Sequence, residues 1–297
     1  MIKAMKRLAG AAIVAGALTG CGAGAALAGE IETGGKLLLT HGVSALEGGA
    51  GGGLSTWAVI AGAETSRGVG GEAHATYVGV RDYKLRAFGA AVGWRDRFEL
   101  SATRQDFDTG ATGAKLGLGK GFTFKQTVLG AKVRVLGDAV YDQDTWVPQI
   151  SVGAQYKHND QGAIVSAVGA KDESGVDGYV AATKLLLDKS LVLNGTVRLT
   201  KANQTGLLGF GSATDNGYRP QFEGSAGLLL SKRFVVGAEY RTKPSNLAFA
   251  KEDDWMDLFA AYAVSQHPSV TAAYVDLGDI ATFRNQRGLY LSLQAGF

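Results

Sequence analysis

Imidazoles occur at only four positions in this chain of 297 residues: 41, 74, 158 and 267. One of them has neighbours that chemistry could use. His158-Asn159-Asp160 sets an imidazole beside a carboxamide and a carboxylate, the groups that nucleophilic catalysis needs around a hydroxyl. The plainer reading is a histidine at the end of a strand, and no catalytic residue is assigned. His267 precedes Pro268 in a tight turn and is structural. Two acidic clusters, Asp172-Glu173 with Asp177 and Glu252-Asp253-Asp254, have the oxygen ligands for a divalent cation. Solvated loop charge accounts for both, so neither a metal nor a cofactor is expected. Gly117-Leu118-Gly119-Lys120-Gly121 has the wrong spacing for a phosphate loop or a dinucleotide fingerprint, and H-E-x-x-H and G-x-S-x-G do not occur.

The more informative polar residues recur at every second position. Leu191, Leu193, Gly195, Val197 and Leu199 alternate with Val192, Asn194, Thr196, Arg198 and Thr200. Phe234, Val236, Ala238 and Tyr240 alternate with Val235, Gly237, Glu239 and Arg241, and a third such run starts at Trp146. A period of two puts the sets on opposite faces of a sheet. Candidate strands fall at about 56–65, 70–82, 84–94, 97–107, 125–137, 146–158, 178–187, 190–201, 220–231, 234–243, 254–264, 269–277 and 288–297, each of roughly the 10 residues that a tilted strand needs to cross a bilayer. Short turns (Arg95-Asp96, Asp188-Lys189, Ser231-Lys232-Arg233, Gln266-His267-Pro268) alternate with long connections, as in a bacterial barrel.

The expected fold is therefore all-β, an antiparallel transmembrane β-barrel. Both ends of the chain must finish on the short-turn side, so thirteen strands call for one more, and 36–47 supplies it. Fourteen strands are expected, with twelve as the alternative if a hairpin around Tyr83 or Ala139 is misread. The run Gly48 to Gly53 would be a flexible loop or would fold into the lumen. Trp57, Trp146, Tyr156, Tyr179, Tyr240 and Trp255 lie near strand ends, where interfacial girdles sit.

Charge on the lipid face costs about 2–4 kcal/mol at mid-bilayer, so the polar faces should line the lumen. That assigns inward positions to the basic Lys132, Arg134, Lys157, Lys184, Arg198 and Arg241, to the amides Gln149, Gln155 and Asn194, and to the acidic Glu223, Glu239 and Asp257. The slight basic excess implies a small, weakly anion-preferring pore.

The N-terminus carries Lys3, Lys6 and Arg7, an apolar run from Leu8 to Leu18 and Ala26-Leu27-Ala28, a secretory signal with cleavage expected after Ala28. Leu18-Thr19-Gly20-Cys21 is a competing lipoprotein-type site around the chain's single cysteine. The division is then a signal at 1–28, an N-terminal strand with a Gly-rich segment at 29–55, and the barrel at 56–297. The signal holds the whole basic excess of the chain, leaving 27 basic and 27 acidic residues, so no nucleic-acid partner is implied.

The closing nonapeptide sets Leu289, Leu291, Leu293, Ala295 and the terminal Phe297 on one face. In this it resembles bacterial outer-membrane β-barrel proteins, a family that is porin-like in part. The resemblance implies that Leu289, Leu291, Leu293 and Phe297 act as an assembly signal read by the barrel-assembly machinery. It also implies a Gram-negative outer-membrane location, reached after crossing the inner membrane, and contact with lipid and lipopolysaccharide. Gly34-Gly35-Lys36-Leu37-Leu38-Leu39-Thr40 and the stretch from Gly195 through Thr200-Lys201-Ala202-Asn203-Gln204 to Gly211 further resemble a Gram-negative family known as domain of unknown function 3034. The function expected is a porin-like channel or transporter for small solutes, not an enzyme. The alternatives are a structural or biogenesis barrel with a closed lumen and, behind that, a lipid-acting enzyme.

Overall fold

The computed structural model describes residues 33–248 and 251–297. The signal and Cys21 lie outside the described residues. Two dipeptide strands, β1 (Val43–Ser44) and β2 (Ala50–Gly51), precede twelve long ones. These are β3 (Val69–Val80), β4 (Lys84–Trp94), β5 (Phe98–Asp108), β6 (Thr123–Leu136), β7 (Gln149–Asn159), β8 (Ser174–Leu186), β9 (Leu191–Thr200), β10 (Arg219–Ser231), β11 (Phe234–Arg241), β12 (Trp255–Ala263), β13 (Pro268–Asp276) and β14 (Arg287–Gly296). Each pairs antiparallel with the next, and β14 closes on β3 with Leu293 opposite Ala75, so the sheet has no edge.

The barrel thus has twelve strands, the alternative count, and not fourteen. The hairpin around Tyr83 is real; the two surplus strands were those placed at 36–47 and 56–65. A wall strand alternates buried and exposed residues, whereas every residue from Val43 to Gly62 is buried. Burial on both faces means that this segment threads the inside of the barrel. Its glycines fit it for that path. A Cβ on Gly51 would come 2.2 Å from the Ser55 carbonyl oxygen, and one on Gly48 (φ +101°) would come 2.0 Å from Thr103 Oγ1. The Gly48–Gly53 run is therefore a tightly fitted luminal segment and not a flexible loop.

The outer face is apolar, with Leu100, Leu129, Val180, Val197, Leu258 and Leu289 all exposed. Exposed aromatics gather at its two ends. Trp94, Phe98, Trp146 and Tyr262 stand at the short-turn end, and Tyr156, Phe222, Tyr240 and Tyr274 at the long-loop end. Three of the aromatics read as girdle residues are elsewhere. Tyr179 and Trp255 point into the lumen and Trp57 belongs to the luminal segment, all three buried. A strand end alone does not say which face a side chain takes.

Candidate functional site

The lumen is occupied by residues 43–65, held by the polar inner faces of the strands. Its centre is Glu47. Glu47 pairs with Lys157 on β7, with Arg241 on β11 (2.9 Å) and with Arg198 on β9 (3.5 Å). Arg198 spreads its guanidinium over Glu223 (Nε, 2.6 Å), Gln155 (Nη1, 2.6 Å) and Thr56 of the luminal segment (Nη2, 2.8 Å). Asp177 on β8 completes the group, 2.7 Å from Lys157. Three cations and three carboxylates thus neutralise one another, all of them buried. Buried charge is tolerable only when it is paired and hydrogen-bonded in this way.

The backbone of the segment is satisfied in the same currency. Leu54 N–H donates to Glu239 (2.7 Å) and Thr56 N–H to Glu223 (2.7 Å). Asn194 and Thr196 donate to Thr56 O, and Gln149 to Ala58 O (2.7 Å). Nearer the short-turn end, Lys132 donates to Val59 O (2.9 Å) and pairs with Glu99 (3.0 Å), which accepts from Ala61 N–H (2.9 Å). Lys36 fastens the far end of the segment through Ile60 O (2.8 Å), Gly62 O (3.1 Å) and Asp96 (2.8 Å). With no water-exposed backbone, each of these groups needs such a partner.

Of the residues read as inward-facing, Lys132, Gln149, Gln155, Lys157, Asn194, Arg198, Glu223, Glu239 and Arg241 contact this segment or its ion cluster. Asp257 lies across from Glu239 in the strand register, and its Oδ1 has no hydrogen bond among the described residues. Arg134 sits at the short-turn end, bound to Asp96 (2.8 Å) and Asp138 (2.9 Å). Lys184 shares its strand parity with the exposed Val176 and Val180, so it stands on the outer set. Its ammonium reaches back to Val147 O (3.2 Å), which is how a long basic side chain leaves an apolar face. Sequence reasoning missed Glu47, Glu99 and the luminal role of Asp177. Glu99 shares a polar alternation with Ser101, Thr103 and Gln105 that could have revealed it. Glu47 carries no period at all.

Apolar side chains also line part of each end of the lumen. At the short-turn end a narrow cleft lies among Val43, Trp57, Leu185, Val192, Val235 and Phe259. At the long-loop end a second narrow cleft lies among Leu46, Leu54, Phe107, Leu207, Leu208 and Trp255.

The remaining candidates do not converge. His158 stands on the outer parity of β7, while Asn159 turns inward to donate to Leu207 O (2.8 Å) and Asp160 pairs with Arg104. The acidic clusters are likewise divided. Asp172 pairs with Lys201 (2.8 Å), Asp177 with Lys157, and Glu252 with Lys243 (3.2 Å).

The family described as "Protein of unknown function (DUF3034)" matches residues 40–294 of the chain. No curated protein matches. Among solved structures, the "KdgM porin in complex with disordered oligogalacturonate" aligns with a TM-score of 0.50 at 11% identity, over 76% of this chain and 99% of that one. The "KdgM porin" follows at 0.49 and 11%, again over 76% and 99%. The outer membrane phospholipase A from Escherichia coli aligns at 0.41 and 9%, over 76% and 92%. At these identities the likeness is one of fold, that of the outer-membrane β-barrel.

Proposed function

The chain belongs to the DUF3034 family, and from the construction of its lumen we propose that it is a transport barrel of the Gram-negative outer membrane, closed at rest by residues 43–65. It passes small solutes when that segment shifts. The apolar outer face between two aromatic girdles supports the membrane placement, with lipid and lipopolysaccharide as its surroundings and the barrel-assembly machinery as its route in. No enzymatic step is assigned.

The observation that carries transport is how the segment is held. It is clasped by hydrogen bonds and ion pairs to the polar wall, while its Val43, Leu46, Leu54, Trp57 and Val59 pack against apolar wall residues. The polar contacts can be exchanged for water at modest net cost, which is what a movable plug needs. A wall of twelve strands lies between the eight that side chains fill and the 16–18 that leave an open aqueous channel. The rival reading is a permanently closed structural barrel, favoured by the full burial of Val43 to Gly62.

Planar-bilayer recordings separate the two. Wild-type protein is expected to be silent or to open briefly. Deletion of residues 43–65, with the barrel verified by heat-modifiable gel mobility, is expected to give stable steps of conductance. A folded deletion variant that does not conduct would establish the closed barrel instead.

A further inference from the structure

The outer face of the barrel is not uniform toward the long-loop end. Along β9 the outward set stays apolar to the end of the strand, through Val197 and Leu199. β5 begins at Phe98 as β9 begins at Leu191, so Arg104 and Asp106 occupy the positions of Val197 and Leu199. The outward carbon of β5 stops at Ala102. On its two neighbours the change comes at Lys84 and Arg86 of β4 and at Lys125 of β6, all three exposed. Across the barrel, the outward set of β12 is Met256, Leu258, Ala260 and Tyr262, without a charge. Charge facing hydrocarbon is costly, so the sector from β4 to β6 is built for a polar neighbour at that depth.

The exposed cations are not neutralised within the chain. Asp108 stands opposite Lys84 in the strand register, and Asp106 opposite both Arg86 and Lys125. Yet Lys84, Arg86 and Lys125 form no ion pair among the described residues, because the carboxylates turn elsewhere. Asp160 is held by both terminal nitrogens of Arg104, and Asp106 Oδ1 lies 3.8 Å from Arg104 Nε. Asp108 accepts from Gly110 N–H (2.7 Å). Three cations therefore point outward with their donors open. On the membrane side of them Phe88, Leu100 and Leu129 are exposed, a surface for chains of carbon.

We propose that the outer face of β4 to β6 binds one lipopolysaccharide molecule, with Lys84, Arg86 and Lys125 on the phosphates of its lipid A and Phe88, Leu100 and Leu129 along its acyl chains. Charge complementarity and depth select this occupant. Long loops mark the outer side of a bacterial barrel, and there the leaflet is lipopolysaccharide, whose phosphates lie between sugar and hydrocarbon. Guanidinium and ammonium groups are the donors that phosphate oxygens favour. The inference rests on the outer-membrane placement, turning a general lipid contact into a site on one sector. It holds whether or not the lumen conducts.

The test titrates the folded barrel in detergent with lipid A and reads the complexes by native mass spectrometry. Lipid A with both phosphates should bind saturably, and lipid A stripped of them at least about tenfold more weakly. The triple variant Lys84→Gln, Arg86→Gln, Lys125→Gln, verified by heat-modifiable mobility, should lose at least about tenfold in affinity for the phosphorylated form. A control triple, Lys189→Gln, Lys232→Gln, Arg233→Gln, removes as many exposed cations at the short-turn end and should stay within about twofold of wild type. Unchanged affinity in the first variant would overturn the proposal, and so would equal weakening by both triples. Cardiolipin, a phospholipid with two phosphates and no sugar, tests the choice of occupant. If it binds as tightly as lipid A and loses as much in the first variant, the assignment to lipopolysaccharide falls. Fractionation separates this proposal from the placement beneath it. Wild type in the outer membrane that binds no lipid A ends the proposal alone, whereas folded wild type outside that membrane ends both.

Discussion

Glu47 Oε2 and Arg241 Nη1 stand 2.9 Å apart across 194 positions of sequence, one on the luminal segment and the other on the wall. Glu47 also meets Lys157 and Arg198, so removing its charge leaves three buried cations facing two carboxylates, Asp177 and Glu223. Breaking a buried pair by deleting one partner typically costs about 3–5 kcal/mol. Glu47→Ala should therefore unseat the plug without opening the wall, whose ladder does not include Glu47. The expected results are frequent channel openings in planar bilayers and proteolysis within residues 43–65, with unchanged heat-modifiable mobility. A silent, protease-resistant variant would show that Glu47 is not the latch.

Once the plug is deleted, selectivity should follow the wall. With Glu99 and Asp177 inside and Lys184 outside, the basic excess that implied anion preference disappears. Lys132, Arg134, Lys157, Arg198 and Arg241 now face Glu72, Glu99, Asp177, Glu223, Glu239 and Asp257. Mixed rings of charge give little discrimination. Reversal potentials of the deletion variant should lie near zero in a salt gradient. Adding Arg198→Glu should move them toward cation preference, and adding Glu223→Gln toward anion preference.

The wall was legible because a lipid-facing strand has no choice but to alternate. Leu193, Val197 and Leu199 against Asn194, Thr196 and Arg198 is a pattern dictated by two solvents. The plug was not, because a segment buried on all sides obeys no period. Val43 to Leu46 and Trp57 to Ala61 are apolar enough to pass for strands, and only their lack of a polar face sets them apart. The two stretches that carry the family resemblance turn out to serve this plug. Lys36 fastens its trailing end, and Asn203 to Gly206 descend into the lumen, where Thr205 O accepts from Lys157 and Gln126.

Glu64 makes the seating of the plug sensitive to pH. Burial pushes its carboxyl up to about 7, against the opposing pull of Lys36 (3.7 Å) and with Asp96 and Glu99 adding to the rise. Released into water, the same group would return to its ordinary value of 4.5. The seated state thus holds its proton more tightly than the released state. That preference is fully present below about pH 4.5 and is lost as pH rises through about 7. Open probability should rise between about pH 5 and pH 8, and Glu64→Gln should flatten the profile. A wild-type profile that falls with pH over this window would contradict the assignment.

The terminal residue joins the closing strand to the plug. Phe297 N–H donates to Gly71 O (2.9 Å), and its own carbonyl accepts from Gly71 N–H (3.0 Å) and from Ala63 N–H (3.0 Å). The ring packs over Gly71 closely enough that a Cβ there would come 3.2 Å from it. Phe297→Ala keeps the backbone bonds and removes only the aromatic group, whereas deleting the residue also removes the acceptor for Ala63. Two roles can therefore be told apart. If the ring serves as an assembly signal with Leu289, Leu291 and Leu293, Phe297→Ala should cut the amount of folded protein in the outer membrane several-fold, while the barrel that does assemble stays closed. If the residue mainly anchors the plug, Phe297→Ala should assemble at wild-type levels, and the deletion alone should yield a leaky channel. We expect the first outcome, read as the ratio of heat-modifiable to unfolded protein in outer-membrane fractions. Equal ratios for wild type and Phe297→Ala would remove the aromatic ring from the assembly signal.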